Sequence, residues 1–286
     1  MYPAEFRYHR ASSVEEALDL LGRNPGAKFL AGGHSLIPMM KLRLAQPEVL
    51  IDIGRLDELA GVSANGDSLS IGSLTTHSEI ASSPELRKHC PILAEAASKI
   101  ADPQVRNKGT IGGNLAHADP ASDLPAVLVA LGAKIHLRSR GGSRSVDASD
   151  FFVDLLTTSL AENEIMTAVE VPKLGAGTGS AYLKVEHPAS GYAVCGAAAV
   201  VTVEGGTWTS ASLAFNGVTA TPLAALEVVE ALIGSDATDQ AIDRAVESRL
   251  SVPDPMSDLY ASGEYRAALA AAYGKRALKS ARDRAG

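Results

Sequence analysis

Residues 15–21 (EEALDLL) carry apolar positions at helical spacing, and Ser12 or Ser13 stands where a helix cap belongs. Residues 28–31 (KFLA) are short and apolar and stop at Gly32-Gly33, which predicts a buried strand entering a sharp turn. Residues 49–53 (VLIDI) predict a second strand, and residues 68–71 (SLSI), closing at Gly72, a third. Thr75-Thr76-His77-Ser78-Glu79 has the hydroxyls and early carboxylate of a helix start. Residues 91–100 predict an Ala-rich helix, and residues 124–131 (LPAVLVAL) another that ends at Gly132. Between them, residues 105–114 are polar and glycine-rich. Residues 134–137 and 164–171 predict strands, and residues 172–179 form the best linker candidate. Beyond the linker come predicted strands at 181–185, 194–203 and 212–215, then helices at 223–232, 239–249 and 264–282. No useful internal repeat is present. The pattern is α+β: a mixed N-terminal part and a C-terminal part of strands followed by helices. Strands and long helices do not alternate regularly enough for a doubly wound sheet.

Composition narrows the class. A chain of 286 residues that is 46% hydrophobic can bury a large core, and at roughly 150 residues per domain it suggests about two domains. Its net charge of −7 provides no basic stripe for nucleic acid and is too modest for a disordered chain. The most apolar stretch, 192–203, is too short to span a membrane. The start, MYPAEFR, has no apolar core or cleavage site of a secretory signal. Cys90 and Cys195 stand far apart and form no CxxC pair. Two cysteines cannot hold an iron–sulfur cluster, which usually takes four ligands. The expected setting is reduced and cytoplasmic.

Candidate chemistry concentrates in two glycine pairs. In Leu30-Ala31-Gly32-Gly33-His34-Ser35-Leu36 a strand runs into two glycines. Glycine lets consecutive amides turn toward one point, and such a nest binds phosphate. Ser35 adds a hydroxyl, and His34 either donates or orients the loop. Thr110-Ile111-Gly112-Gly113-Asn114 repeats the logic with a flanking hydroxyl and amide. One such pair read alone is an ordinary turn, whereas two pairs suit a ligand with two phosphates. Neither loop is a P-loop or a GxGxxG fingerprint. Asp123 has two compatible readings: an N-cap before Leu124-Pro125 and an acceptor for ribose or ribityl hydroxyls. The histidines form no HxH, HExxH or Cys/His cluster, so no metal site is expected. A GxSxG elbow is also absent.

Four segments carry a family resemblance: AGGHSLIPMMKLRLAQPEVLIDI (31–53), SLTTHSEI (73–80), ADPQVRNKGTIGGNLAHADPASDLPAVLVALGA (101–133) and SGEYRAALAAAYGKRAL (262–278). They resemble the FAD-binding medium subunits of molybdenum hydroxylases, with carbon monoxide dehydrogenase medium chains the nearest look and the xanthine dehydrogenase module related. The resemblance implies a two-subdomain FAD-binding domain of the vanillyl-alcohol-oxidase (PCMH) type over 1–177, divided near residue 55, and a C-terminal α+β domain over 178–286. It implies FAD in this chain. It also implies a small partner with [2Fe–2S] clusters and a large partner with the molybdopterin cofactor, as a dimer of heterotrimers serving an external electron acceptor.

Carried over by position, Ala31, Gly32, Gly33, His34 and Ser35 resemble one FAD pyrophosphate loop, flanked by Leu30 and Leu36. Thr110, Ile111, Gly112, Gly113 and Asn114 resemble the other. Asp123 matches an acid on the cofactor's hydroxyls, Ile165 an apolar residue whose backbone faces the flavin, and Ile100 an apolar neighbour of the adenine. Tyr192 matches an aromatic beside the isoalloxazine ring. Lys184 matches a lysine near the cofactor, against its local reading as an exposed strand lysine. No catalytic acid or base is expected in this chain, since the redox chemistry belongs to the cofactor. The alternatives are the medium subunit of a dehydrogenase for N-heterocycles or purines, a stand-alone flavin oxidase, and a scaffold that retains only the fold.

Overall fold

The computed structural model describes residues 2–285. Three sheets organise the chain, with a small two-stranded hairpin beside them. The first sheet is parallel, in the order Arg7–Arg10, Val49–Asp52, Lys28–Leu30. The amphipathic helix Val14–Arg23 makes the crossover and buries Val14, Ala17, Leu18 and Leu21 in a core shared with Val49 and Ile51. Ser13 caps this helix by accepting from the Glu16 amide.

The second sheet is antiparallel, in the order Val62–Asn65, Ser68–Gly72, Ile165–Pro172, Lys134–Ser139, Gly142–Asp147. Leu69, Ile71, Ile135, Leu137 and Val169 share one core with the helices Pro91–Ser98, Ile111–His117 and Leu124–Ala130. The third sheet runs Thr178–Glu186, Ala193–Glu204, Thr207–Asn216, Leu223–Ala224. The long helix Gly263–Asp283 packs Ala270, Ala277 and Ala281 on one face, against Ala197 and Ala199. Ala198 and Tyr182 face the other way, into the core of the second sheet. Burial on both faces is why this strand reads as an unbroken apolar run rather than an alternating one. It is also what ties the third sheet to the N-terminal part.

The predicted strands and long helices are present, but Lys28–Leu30, expected to be buried, is an edge strand with Lys28 exposed and Phe29 and Leu30 half-buried. The pattern missed the hairpin Phe152–Asp154 and Thr157–Thr158 and three longer strands, Arg7–Arg10, Val62–Asn65 and Gly142–Asp147, which lie at sheet edges and are largely exposed, so their side chains are mostly polar and carry no period. Residues 223–232 do not form a single helix: Leu223 pairs with Phe215 as an edge strand, and the helix is Leu226–Leu232. Residues 105–114 are not simply a loop. Thr110 caps the helix Ile111–His117, whose buried Ile111 and Leu115 outweigh the low helix propensity of Gly112 and Gly113. Thr76 caps His77–Ser82 in a full capping box with Glu79. Gly132 follows the helix Leu124–Ala130 with φ +61°.

Candidate flavin cleft

Both glycine pairs reach the same place. Lys28–Leu30 ends the parallel sheet, Gly33 takes φ +73°, and the Gly33 carbonyl accepts from Ile37 as the helix Leu36–Lys41 begins. Through this bend the backbone N–H groups of Gly32, Gly33, His34, Ser35 and Leu36 find no acceptor among the described residues. They form a nest of open donors, suited to an anion. His34 donates from Nδ1 to the Gly32 carbonyl at 3.1 Å, so its ring braces its own loop.

The second pair works differently. The amides of Ile111 and Gly112 donate to the carbonyls of Thr75 and Ser73, and Gly113 donates to Thr110 Oγ1 at 3.1 Å. Asn114 donates to the Thr110 carbonyl. This bend therefore offers a ligand bare Cα atoms, the Thr110 hydroxyl proton and the Asn114 amide, whose Oδ1 accepts from Ser122 at 2.8 Å. One glycine of each bend, Gly112 and Gly32, is a steric necessity. A Cβ on Gly112 would lie 2.6 Å from Ser73 Cβ. A Cβ on Gly32 would overlap the Lys108 carbonyl oxygen and lie 3.1 Å from Gly109 Cα. A Cβ on Gly113 would lie 3.9 Å from Ala31 Cβ, so the two bends touch.

They open onto one cavity of about 900 Å³. Ala31, Gly32, Gly33, His34, Ser35 and Leu36 line it, as do Thr110, Gly112, Gly113 and Asn114. Ile100, Asp123, Ile165 and Tyr192 line it too. Leu30, Ile111 and Lys184 do not. Leu30 ends its strand and accepts from Ile53, while Ile111 is fully buried in the helical core.

Asp123 stands at the N-cap position of the helix Leu124–Ala130, as its local reading has it, but makes no side-chain capping bond. Its carboxylate is buried and accepts instead from Tyr182 Oη at 2.6 Å and from Lys184 Nζ at 3.2 Å. Burial pushes its pKa up to about 6, against the lowering effect of the Lys184 charge and the Tyr182 hydrogen bond. Deep burial, and then the same carboxylate, raise the Tyr182 phenol well above its usual value. Lys184 is no exposed strand lysine: its side chain is 4% exposed behind Asp123.

Sequence reasoning missed His77 and Ser73, which line the floor. Both carry a buried polar atom, His77 Nδ1 and Ser73 Oγ, with no partner among the described residues. Burial first, then the nearby His34, holds His77 down at about 4, so it is neutral near pH 7. The SLTTHSEI segment carries only a helix-start signature, which hides these inward-facing roles.

The N-terminal part matches the family described as the FAD binding domain in molybdopterin dehydrogenase, over residues 4–174. The chain belongs to this family. Residues 180–281 match the CO dehydrogenase flavoprotein C-terminal domain. The carbon monoxide dehydrogenase medium chain of Hydrogenophaga pseudoflava is 43% identical over 282 residues, 98% of each chain. The glyceraldehyde dehydrogenase medium chain of Sulfolobus acidocaldarius is 42% identical over 266 residues, 93% of this chain and 94% of that one. A solved structure of the Hydrogenophaga carbon monoxide dehydrogenase, in a form lacking the Mo-pyranopterin moiety, agrees at TM-score 0.96 and 44% identity over 99% of each chain.

The family's cofactor fits the residues present. Backbone amides stand open at the first bend, Gly32 and Gly112 sit where a Cβ would collide, and the buried acid Asp123 lines the same cavity. No described helix is long and apolar enough to cross a membrane.

Proposed function

We propose that this chain is the FAD-binding medium subunit of a heterotrimeric molybdenum hydroxylase of the carbon monoxide dehydrogenase type. Its flavin domain spans 1–177 and its C-terminal domain 178–286. A small partner with [2Fe–2S] clusters supplies electrons that a large molybdopterin subunit has taken from substrate. Bound FAD supplies the step between one-electron carriers and a two-electron external acceptor.

The chain's own residues bind, orient and shield. The amides from Gly32 to Leu36 hold one side of the diphosphate, and Thr110 and Asn114 the other. Asp123 accepts from the sugar-like hydroxyls, and Ile165 and Tyr192 flank the ring system. The observation that carries this reading is the meeting of both glycine bends and Asp123 in one cavity. The medium chains of carbon monoxide and glyceraldehyde dehydrogenases resemble this chain almost equally. That likeness supports a shared electron-transfer role, with substrate choice made in the large subunit.

The test is flavin content of the full chain, alone and with its partners, for the wild type and Gly113→Val. A valine crowds Thr110 Oγ1, 3.0 Å from the new Cβ, and fills the bare face the ligand needs. The expected result is a folded protein without flavin absorbance. A scaffold would show no flavin in either form, and a stand-alone oxidase would turn over substrate without partner chains; either outcome overturns the proposal.

A further inference from the structure

Lys184 stands behind the cleft wall, and its three ammonium protons are all used. They go to the Lys99 carbonyl at 2.6 Å, the Gly191 carbonyl at 2.7 Å and the Asp123 carboxylate at 3.2 Å. The first two acceptors belong to two segments of the cavity lining, one contributing Ile100 and Ala101 and the other Gly191 and Tyr192. The two segments touch: a Cβ on Gly191 would lie 3.2 Å from Ala101 Cα.

The first segment is also strained. Ala101 is a non-glycine residue at φ +33°, a conformation that persists only where the surroundings over-determine it. Here they do. Successive carbonyls are held by two cations, Lys99 by Lys184, and Ile100 and Ala101 together by Arg106 at 2.8 Å each.

We propose that Lys184 is a positioning residue rather than a flavin ligand: it pins both lining segments to Asp123 and so sets how tightly the cleft retains FAD. The proposal rests on the flavin reading of the cleft. Lys184 projects from the strand Thr178–Glu186 of the third sheet, whereas Lys99 and Asp123 belong to the N-terminal part. The pin therefore makes the C-terminal part a structural component of the cofactor site. A lysine with no proton left over has nothing to donate to the ring, which separates this role from that of a direct ligand.

The experiment compares wild type and Lys184→Met as assembled, FAD-loaded protein. The readouts are FAD dissociation rate, iodide quenching of flavin fluorescence, flavin reduction potential and thermal midpoint. Loss of charged hydrogen bonds to these segments is expected to speed FAD release by about tenfold or more and to raise iodide access. The potential should stay near that of the wild type. Unchanged release and quenching would overturn the proposal. So would a shifted potential with unchanged release, the mark of a cation bonded directly to the ring. If Lys184→Met does not fold, Ala101→Gly keeps every charge while freeing the strained residue, and it should also release FAD faster; unchanged release there would overturn the proposal. A wild type that binds no FAD would overturn the flavin reading itself, a result distinct from these.

Discussion

Gly32→Ala puts the idea of two touching bends under the sharpest test. A methyl at Gly32 would overlap the Lys108 carbonyl oxygen and come within 2.7 Å of its carbon. Both are backbone atoms, so no side chain can swing aside. The bend around Gly32 and the segment entering Thr110 must separate by about an ångström, at a cost of roughly 1–3 kcal/mol in stability. The larger effect falls on the ligand. The nest works because its amides aim at one point. If two of them lose alignment with an anion, at roughly 1.5–3 kcal/mol each, FAD affinity drops by about a hundredfold or more. Gly22→Ala is the internal control. Gly22 lies inside the helix Val14–Arg23 with nothing within 4 Å of a new Cβ, so alanine there should stabilise by about 1 kcal/mol and leave FAD untouched. Fluorescence titration with FAD and chemical unfolding of both variants supply the readings. Wild-type FAD affinity in Gly32→Ala would refute the reasoning, because it would mean that the bends are not held in register by this contact.

Asp123→Asn should reveal a pH-dependent term. The folded-state pKa of Asp123 is raised from 3.8 to about 6, so its stabilising contribution is fully present below about pH 4 and is lost as pH rises through about 6. The stability of wild type relative to Asp123→Asn is therefore expected to fall across that window, as followed by thermal midpoints; a flat difference would count against the shift. Gly196→Ala places a Cβ 2.9 Å from Asn216 Cγ and within contact of the Tyr182 hydroxyl, in a buried network. It should cost roughly 1–3 kcal/mol in urea unfolding and weaken FAD retention through Asp123, although Gly196 does not line the cavity.

Legibility in the sequence followed burial. Elements buried on one face, such as the helix Val14–Arg23, carried a clean period, and the strand Ala193–Glu204, buried on both, carried an unbroken apolar run. Edge strands such as Gly142–Asp147 pair through backbone alone on an exposed border, where side chains are free to be polar and no pattern is enforced. The helix Ile111–His117 escaped because Gly112 is dictated by the close approach of Ser73, and that long-range demand overrides local helix propensity.

The cleft shows the same division. Its glycine bends were legible because a backbone that must turn toward a ligand leaves a mark in the residue type itself. The charges behind it were not. Asp123 before Leu124-Pro125 has the local appearance of a cap, and Lys184 that of a solvated strand residue. Their true partners are brought together only when the third sheet packs on the helix Leu124–Ala130. The two bends also differ in kind. The first leaves successive amides open and serves as the electrostatic half of the grip. The second satisfies its own amides through Thr110, Thr75 and Ser73 and serves as the rigid half. A site built this way can hold a diphosphate through backbone dipoles rather than basic side chains, in keeping with the absence of lysine and arginine from both motifs. The consequence is testable in the same titrations. FAD affinity should depend weakly on salt, because the donors are fixed dipoles close to the anion rather than mobile surface charges.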